Sequence, residues 1–255
     1  MSAGRLVVAN YRGVPVPRTL GIWLALAAIA SVGVMALTRW PVPVARAGWG
    51  ALGATLLVFA AGMVDDLAPA GPRGLRNHLR GLASGRVSTG IVKVIVIVSA
   101  AVVVIALRPG MSGWVRLAGV VLVAASANVW NGLDVRPGRS IKFGLCALLG
   151  PILGLTGADL ALLPTLPGVV LGSAVALWFD LKERAMLGDG GANLLGFTIG
   201  LCLYLVLSGW GVVIAALVVV GINAIAETTT LSRLIDAAPP LRWFDTLGRL
   251  QKDAP

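Results

Sequence analysis

The chain has 255 residues, of which 57% are hydrophobic and only 13% charged, and its mean hydropathy is +0.89. Soluble domains carry about a quarter charged residues, so this composition excludes one and indicates a polytopic membrane protein whose helices satisfy their own backbone groups. The net charge of +10 raises nucleic acid as a partner, and the placement of the charges argues against it.

A basic N-terminal segment leads into the first apolar run, at about 19–38. Further runs follow at about 47–64, 91–107, 115–130, 143–157, 167–180, 193–209 and 211–227. Each is long enough, or nearly so, to cross about 30 Å of hydrocarbon. The pair between 143 and 180 is short and interrupted by glycine and proline. Val44-Ala45-Arg46-Ala47 faintly resembles a signal-peptidase site, but the run before it is too long for a signal-peptide core and is read as a retained helix. The expectation is therefore an all-α polytopic membrane bundle of about eight spans. It forms one domain over 1–255, with both termini on one side.

With a cytoplasmic N-terminus, only Arg39, Arg46, Arg108 and Arg116 of the 21 basic residues fall in outer segments. Lys93 lies just inside the third run, and the rest lie inside, as the positive-inside rule requires. Basicity is then topological, and no nucleic-acid partner is expected. The cytoplasmic segments are loops at about 65–90, 131–142 and 181–192 and a tail at 228–255.

Of the 11 acidic residues, all but Asp159 share that inner side, most of them at the ends of runs. Charge orientation rules say little about carboxylates, so their gathering beside cations suggests a site for a metal and phosphates. A single histidine, His78, excludes a multi-histidine metal centre. Cys146 and Cys202 sit in apolar runs without CxxC spacing and read as inert packing residues.

Three inner segments combine Asp, Asn, Gly and basic residues. GMVDDLAPAGPRGLRNHLRG (62–81) ends an apolar run on the adjacent pair Asp65 and Asp66, costly near lipid unless something is bound there. In NVWNGLDVRPGRSIK (128–142), Asn128, Asn131 and Asp134 recur every third residue and would share one helix face. In LGDGGANLLGF (187–197), Asp189 lies in a glycine-rich turn before a run, where free backbone N–H groups at a helix start suit a phosphate.

Together with NYRGVPVPRTLGI (10–22), these segments in this order resemble the polyprenyl-phosphate N-acetylhexosamine-1-phosphate transferases. That family contains phospho-N-acetylmuramoyl-pentapeptide transferase and its GlcNAc-1-phosphate relatives. NYRGVPVP is similar to the family's N-x-R-G-x-P-x-P opening, GMVDDL to its aspartate-pair loop, NVWNGLD to N-x-x-N-x-x-D, and LGDGGANLLGF to M-G-D-x-G-S-x-x-L-G. The resemblance covers roughly residues 10 to 235. It implies a Mg²⁺-dependent enzyme, with Mn²⁺ as the alternative ion, in a bacterial-type inner membrane with its active site on the cytoplasmic face. Such an enzyme moves HexNAc-1-phosphate from a UDP-N-acetylhexosamine to a polyprenyl phosphate and releases UMP.

By the same resemblance, Asp65, Asp66, Asp134 and Lys93 take catalytic positions, and Asp189 with Asp65 the metal. Asn128, Asn131, Arg136, Arg139, Lys142 and Asn193 take substrate contacts. Departures are visible. Members usually have about ten spans, Asp134 is followed by VRPGRSIK, and no histidine follows His78 where the pentapeptide enzymes carry a histidine-rich arm. The last point argues against the pentapeptide substrate. The rival expectations are a non-catalytic homologue that binds polyprenyl phosphate or a nucleotide sugar, and a small transporter. A homodimer is the candidate assembly.

Plainer roles stand beside these. The aspartate pair can be a solvated helix end, Asp189 an N-cap, Asn128 and Asn131 interhelical hydrogen-bonders, and Arg136, Arg139 and Lys142 anchors at the membrane surface. Asp180 and Glu183 are expected to pair with Lys182 or Arg184 in a solvated loop, and Glu227 serves function or anchoring. Gly196 and Gly200 are expected to pack helices. The tail LRWFDTLGRL (241–250) is expected to lie on the inner leaflet or to cap the bundle.

Overall fold

The computed structural model describes residues 6–68, 88–108 and 111–250. His78 and most of the basic loop after Asp66 lie outside the described residues, as does the side chain of Glu227. Among the described residues the fold is helical apart from one short hairpin, β1 (Val7–Ala9) and β2 (Pro15–Pro17), paired antiparallel with Val8 opposite Val16. Asn10 closes its turn, Oδ1 accepting from the backbone N–H groups of Arg12 and Val14.

The helices are α1 (Leu20–Thr38), α2 (Arg46–Leu67), α3 (Thr89–Ala106), α4 (Gly113–Leu133), α5 (Arg139–Gly154), α6 (Gly157–Leu162), α7 (Leu166–Leu181), α8 (Gly188–Val206), α9 (Gly209–Thr228), α10 (Leu231–Ala237) and α11 (Pro239–Thr246). Six of them, α1, α2, α3, α4, α8 and α9, are long and apolar enough to cross a membrane. The runs expected at 143–157 and 167–180 form the shorter helices α5 and α7, each of 16 residues, and Pro151 sits inside α5. They fall short of that length because Gly138 and Gly154 bound α5 while Pro164 and Pro167 hold the start of α7.

The bundle is built around α8. About 83% of its apolar window is buried, against 17% for α9, and it packs on α1, α2, α4 and α5. Small residues make this close contact achievable. A Cβ on Gly196 would meet the Ser126 carbonyl at 2.6 Å, and one on Gly200 the Val123 Cα at 2.7 Å, so the expected packing role of this pair is what the structure gives. At its N-terminal end, α8 touches α1 where Gly21 and Gly191 meet and α2 where Gly62 meets Gly190. The start of α8 is thereby fixed against the end of α2, which carries the aspartate pair.

Candidate functional site

The charged residues gather at the end of the bundle where α2, α4 and α7 finish and α3, α5 and α8 begin. At its centre is Lys93, in the second turn of α3. Its ammonium donates to Asp65 Oδ2 and to Asp189 Oδ2, both at 2.6 Å. Asp65 ends α2, Asp189 opens α8, and this cation bridges the two carboxylates. Thr89, one turn before Lys93, donates to the other oxygen of Asp65 at 2.6 Å. The site is reached from outside: the side chains of Asp65 and Asp189 are 20% and 30% exposed, and that of Lys93 is 11%.

The second aspartate behaves differently. Asp66 is fully buried, accepts from Arg18 Nη1 at 2.9 Å and from the backbone N–H of Gly190 at 3.1 Å. Adjacent residues on a helix point about 100° apart, so a DD pair sends one carboxylate to the opening and the other into the packing. Asp66 thus ties the chain before α1 and the first turn of α8 to the end of α2.

Gly188 sits beside this contact with φ +67°, and a Cβ there would stand 2.7 Å from Asp66 Oδ2 and 3.0 Å from Arg18 Cβ. Gly188→Ala is therefore expected to lower thermal stability in detergent by more than the roughly 1–2 kcal/mol of left-handed strain alone. A melting temperature unchanged from wild type would contradict the tight Asp66–Gly188 contact.

Asp134 follows directly after α4 and joins the same cluster. Burial, and then the carboxylates of Asp180, Asp189 and Asp66, push its carboxyl well above the ordinary carboxylate value, against the pull of the Gly188 N–H. A cation entering among these groups would favour the ionised form instead. Asn193 donates to the Asp189 carbonyl at 2.6 Å within α8. Asn131 carries a buried Oδ1 without a hydrogen-bond partner among the described residues. Asn128 takes the interhelical alternative, donating to Asn223 of α9 at 2.5 Å.

Three basic residues expected at a diphosphate are committed elsewhere. Arg139, fully buried, holds both carboxylate oxygens of Asp245 at 2.8 and 2.7 Å and donates to Ser232. Lys142 donates to the carbonyls of Phe244, Asp245 and Leu247 at 2.8, 2.6 and 2.9 Å, capping the C-terminal end of α11. Arg136 pairs with Asp236 at 3.1 Å. Arg249 closes the network on Asp245 and on the Pro137 carbonyl. Burial raises the Asp245 carboxyl, but Arg139 and Arg249 more than reverse this and hold it below its ordinary value.

The tail accordingly caps the bundle through Asp245, while Leu241, Trp243 and Leu247 stay exposed on its outer face. Of the two expectations for this segment, the cap over the bundle is the one the structure gives.

Asp180 and Glu183 are a correction. Asp180 is buried and accepts from the backbone N–H of Gly138 at 2.9 Å. Glu183 accepts from Asn10 and Arg12 at 2.6 and 3.1 Å, locking the N-terminal hairpin to the turn after α7. Neither pairs with Lys182 or Arg184 as the local sequence suggests; Arg184 lies over the Trp178 ring instead. Glu183 takes φ +53°, which turns the chain back toward the hairpin. A small cleft opens between hairpin and turns, lined by Asn10, Tyr11, Asp134, Arg136, Asp180 and Glu183 among others. Asp189 is also not an N-cap: α8 starts at Gly188, and the Asp189 side chain goes to Lys93.

Sequence reasoning missed Arg18 and Thr89. Arg18 stands in the quoted PVPRTLG stretch without a role assigned, and Thr89 stands one helical turn before Lys93, a spacing that puts both on one face. No family model matches the chain, and no curated protein matches it.

Proposed function

We propose that this protein is a membrane transferase moving HexNAc-1-phosphate from a UDP-N-acetylhexosamine to a polyprenyl phosphate, as the four motifs imply. In this reading the short helices α5 and α7 also serve as spans, giving eight. Both termini and the charged end of the bundle face the cytoplasm, and the membrane is a bacterial-type inner membrane. The observation that carries the reading is the Lys93 bridge between Asp65 and Asp189, where charges from three apolar helices meet at an exposed helix end.

Two anionic reactants meet in this reaction, so positioning and charge neutralisation do most of the work. The lipid phosphate has a second pKa of about 6 by analogy with phosphorylated side chains, and is largely dianionic at neutral pH. One of its oxygens attacks the phosphorus that carries the sugar. The bond from that phosphorus to the oxygen bridging the two phosphates breaks, and UMP leaves with the bond's electron pair. A strong general base is dispensable, which favours metal positioning over base catalysis for Asp65.

Mg²⁺ takes one or two carboxylates with phosphates and waters. Asp65 and Asp189 fit that demand, since their oxygens already converge on one cation. When bound, the ion supplies charge neutralisation of the diphosphate. Lys93 and Arg18 add positive charge at this end of the bundle, and Asn131 holds a buried Oδ1 without a hydrogen-bond partner among the described residues.

A second reading keeps binding and loses catalysis. It is favoured by the commitment of Arg139 and Lys142 to the tail, which leaves fewer cations for a diphosphate. A transporter reading expects charges at mid-membrane depth, whereas these lie at helix ends. Purified protein given UDP-GlcNAc or another UDP-HexNAc with undecaprenyl phosphate is expected to release UMP with Mg²⁺ and none with EDTA. Absence of release from folded protein that binds the lipid would replace the transferase by the binding homologue.

A further inference from the structure

We infer that the Lys93 ammonium is a built-in stand-in for the divalent cation, holding Asp65 and Asp189 together in the metal-free protein and leaving when the metal enters. The inference deepens the transferase reading at the same site and rests on it for the identity of the ion.

Two carboxylates from different helices converge on one Nζ at 2.6 Å each. Without a cation between them, these like charges would repel across the junction of α2 and α8. A magnesium ion binds oxygen at about 2.0–2.1 Å, well inside the lysine distance, so both carboxylates must close on it and the ammonium cannot stay between them. Repulsion between the two cations at contact range acts in the same direction.

Lysine suits an exchangeable role, because its compact charge rides on a flexible four-carbon stem. The ligands are held without it. Thr89 keeps the second oxygen of Asp65, and the Asp189 backbone is anchored through Asn193 and the close approach of Gly62. Exposure of the Asp65 and Asp189 side chains leaves the ammonium an outward path. Released there, it lies where the phosphates of the proposed substrates would approach. Lysine and metal are thus mutually exclusive occupants, and a bare ion competes poorly until phosphates are present to receive the lysine.

The test uses the full chain in detergent, stripped of metal and titrated with Mn²⁺ by electron paramagnetic resonance. Lys93→Met is expected to bind Mn²⁺ about tenfold or more tightly than wild type, because the competing charge is gone. Lys93→Arg is expected to bind no more tightly. Equal or weaker Mn²⁺ binding by folded Lys93→Met overturns the inference, as does an absence of binding in both proteins.

A wild-type measurement decides the matter if the variant does not fold. Saturating Mg²⁺ is expected to raise labelling of Lys93 by a small amine-reactive reagent, read by peptide mass spectrometry against Lys142. Labelling that falls or stays constant overturns displacement. Tighter Mn²⁺ binding in Lys93→Met without UMP release from wild type would keep this inference and remove the transferase. UMP release with no tightening would do the reverse.

Discussion

Asp189→Asn is expected to abolish Mg²⁺-dependent UMP release, with a fall of roughly 10³-fold or more, the scale of the several kcal/mol a catalytic cation contributes. The substitution is nearly isosteric, and its amide oxygen still accepts from Lys93. Asp65 continues to balance that lysine at 2.6 Å, so no cation is left buried and unpaired. Folding should survive, and the loss should appear as activity and Mn²⁺ affinity together. Asp65→Asn is expected to behave alike, because the two carboxylates share one cation. Asp66→Asn should differ, since it disturbs the fully buried contact with Arg18 and shows first as lost stability. Asp189→Asn with UMP release within threefold of wild type would remove Asp189 from the metal site.

The second large effect lies in the tail. Arg139 and Asp245 form a bidentate pair with no exposed side-chain area on either partner. Breaking a buried pair from one side leaves an uncompensated charge and costs about 3–5 kcal/mol, whereas replacing both partners by apolar groups is often neutral. Asp245→Ala is therefore expected to release α10 and α11 and expose residues 231–249 to hydrogen exchange. Arg139→Met with Asp245→Leu should recover much of the protection. Unchanged exchange in Asp245→Ala would mean that the Lys142 cap alone suffices.

The pH response of the same latch follows from its sign. The folded carboxyl of Asp245 lies below its ordinary value of 3.8. Its contribution is thus fully present above that value and is lost as pH falls through the lower, folded one. Tail protection should hold from neutral pH down past pH 4 and fail only in stronger acid, as hydrogen exchange across a pH series would report. Loosening near pH 6 would point to another group.

How the site was legible differs residue by residue. The ends of α2 and α8 could be found from the chain alone, because an aspartate pair closing an apolar run and a glycine-rich turn opening another are local patterns. Lys93 was visible as a charge inside an apolar run, which marks a site by its cost. Arg18 and Thr89 were not, since a lone arginine before a helix and a threonine at its start have many ordinary uses. The short helices α5 and α7 were marked by their glycines and prolines.

The tail shows the limit most clearly. A run of Arg136, Arg139 and Lys142 beside an aspartate reads equally as a phosphate cradle or as half of an ion-pair network. The other half, Asp236, Asp245 and Arg249, lies about 100 residues further along. Nothing local fixes which charges pair, because a charge has no directional preference over such a separation. Composition, apolar runs and charge placement determined that this chain is helical, with helices apolar enough to cross a membrane and carboxylates at helix ends. Tertiary structure alone decided that Lys93 bridges Asp65 and Asp189, that Asp66 turns inward to Arg18, and that the basic cluster holds the tail. Those pairings follow from which glycines allow α8 to sit at the centre, and close approach is a property of two helices at once.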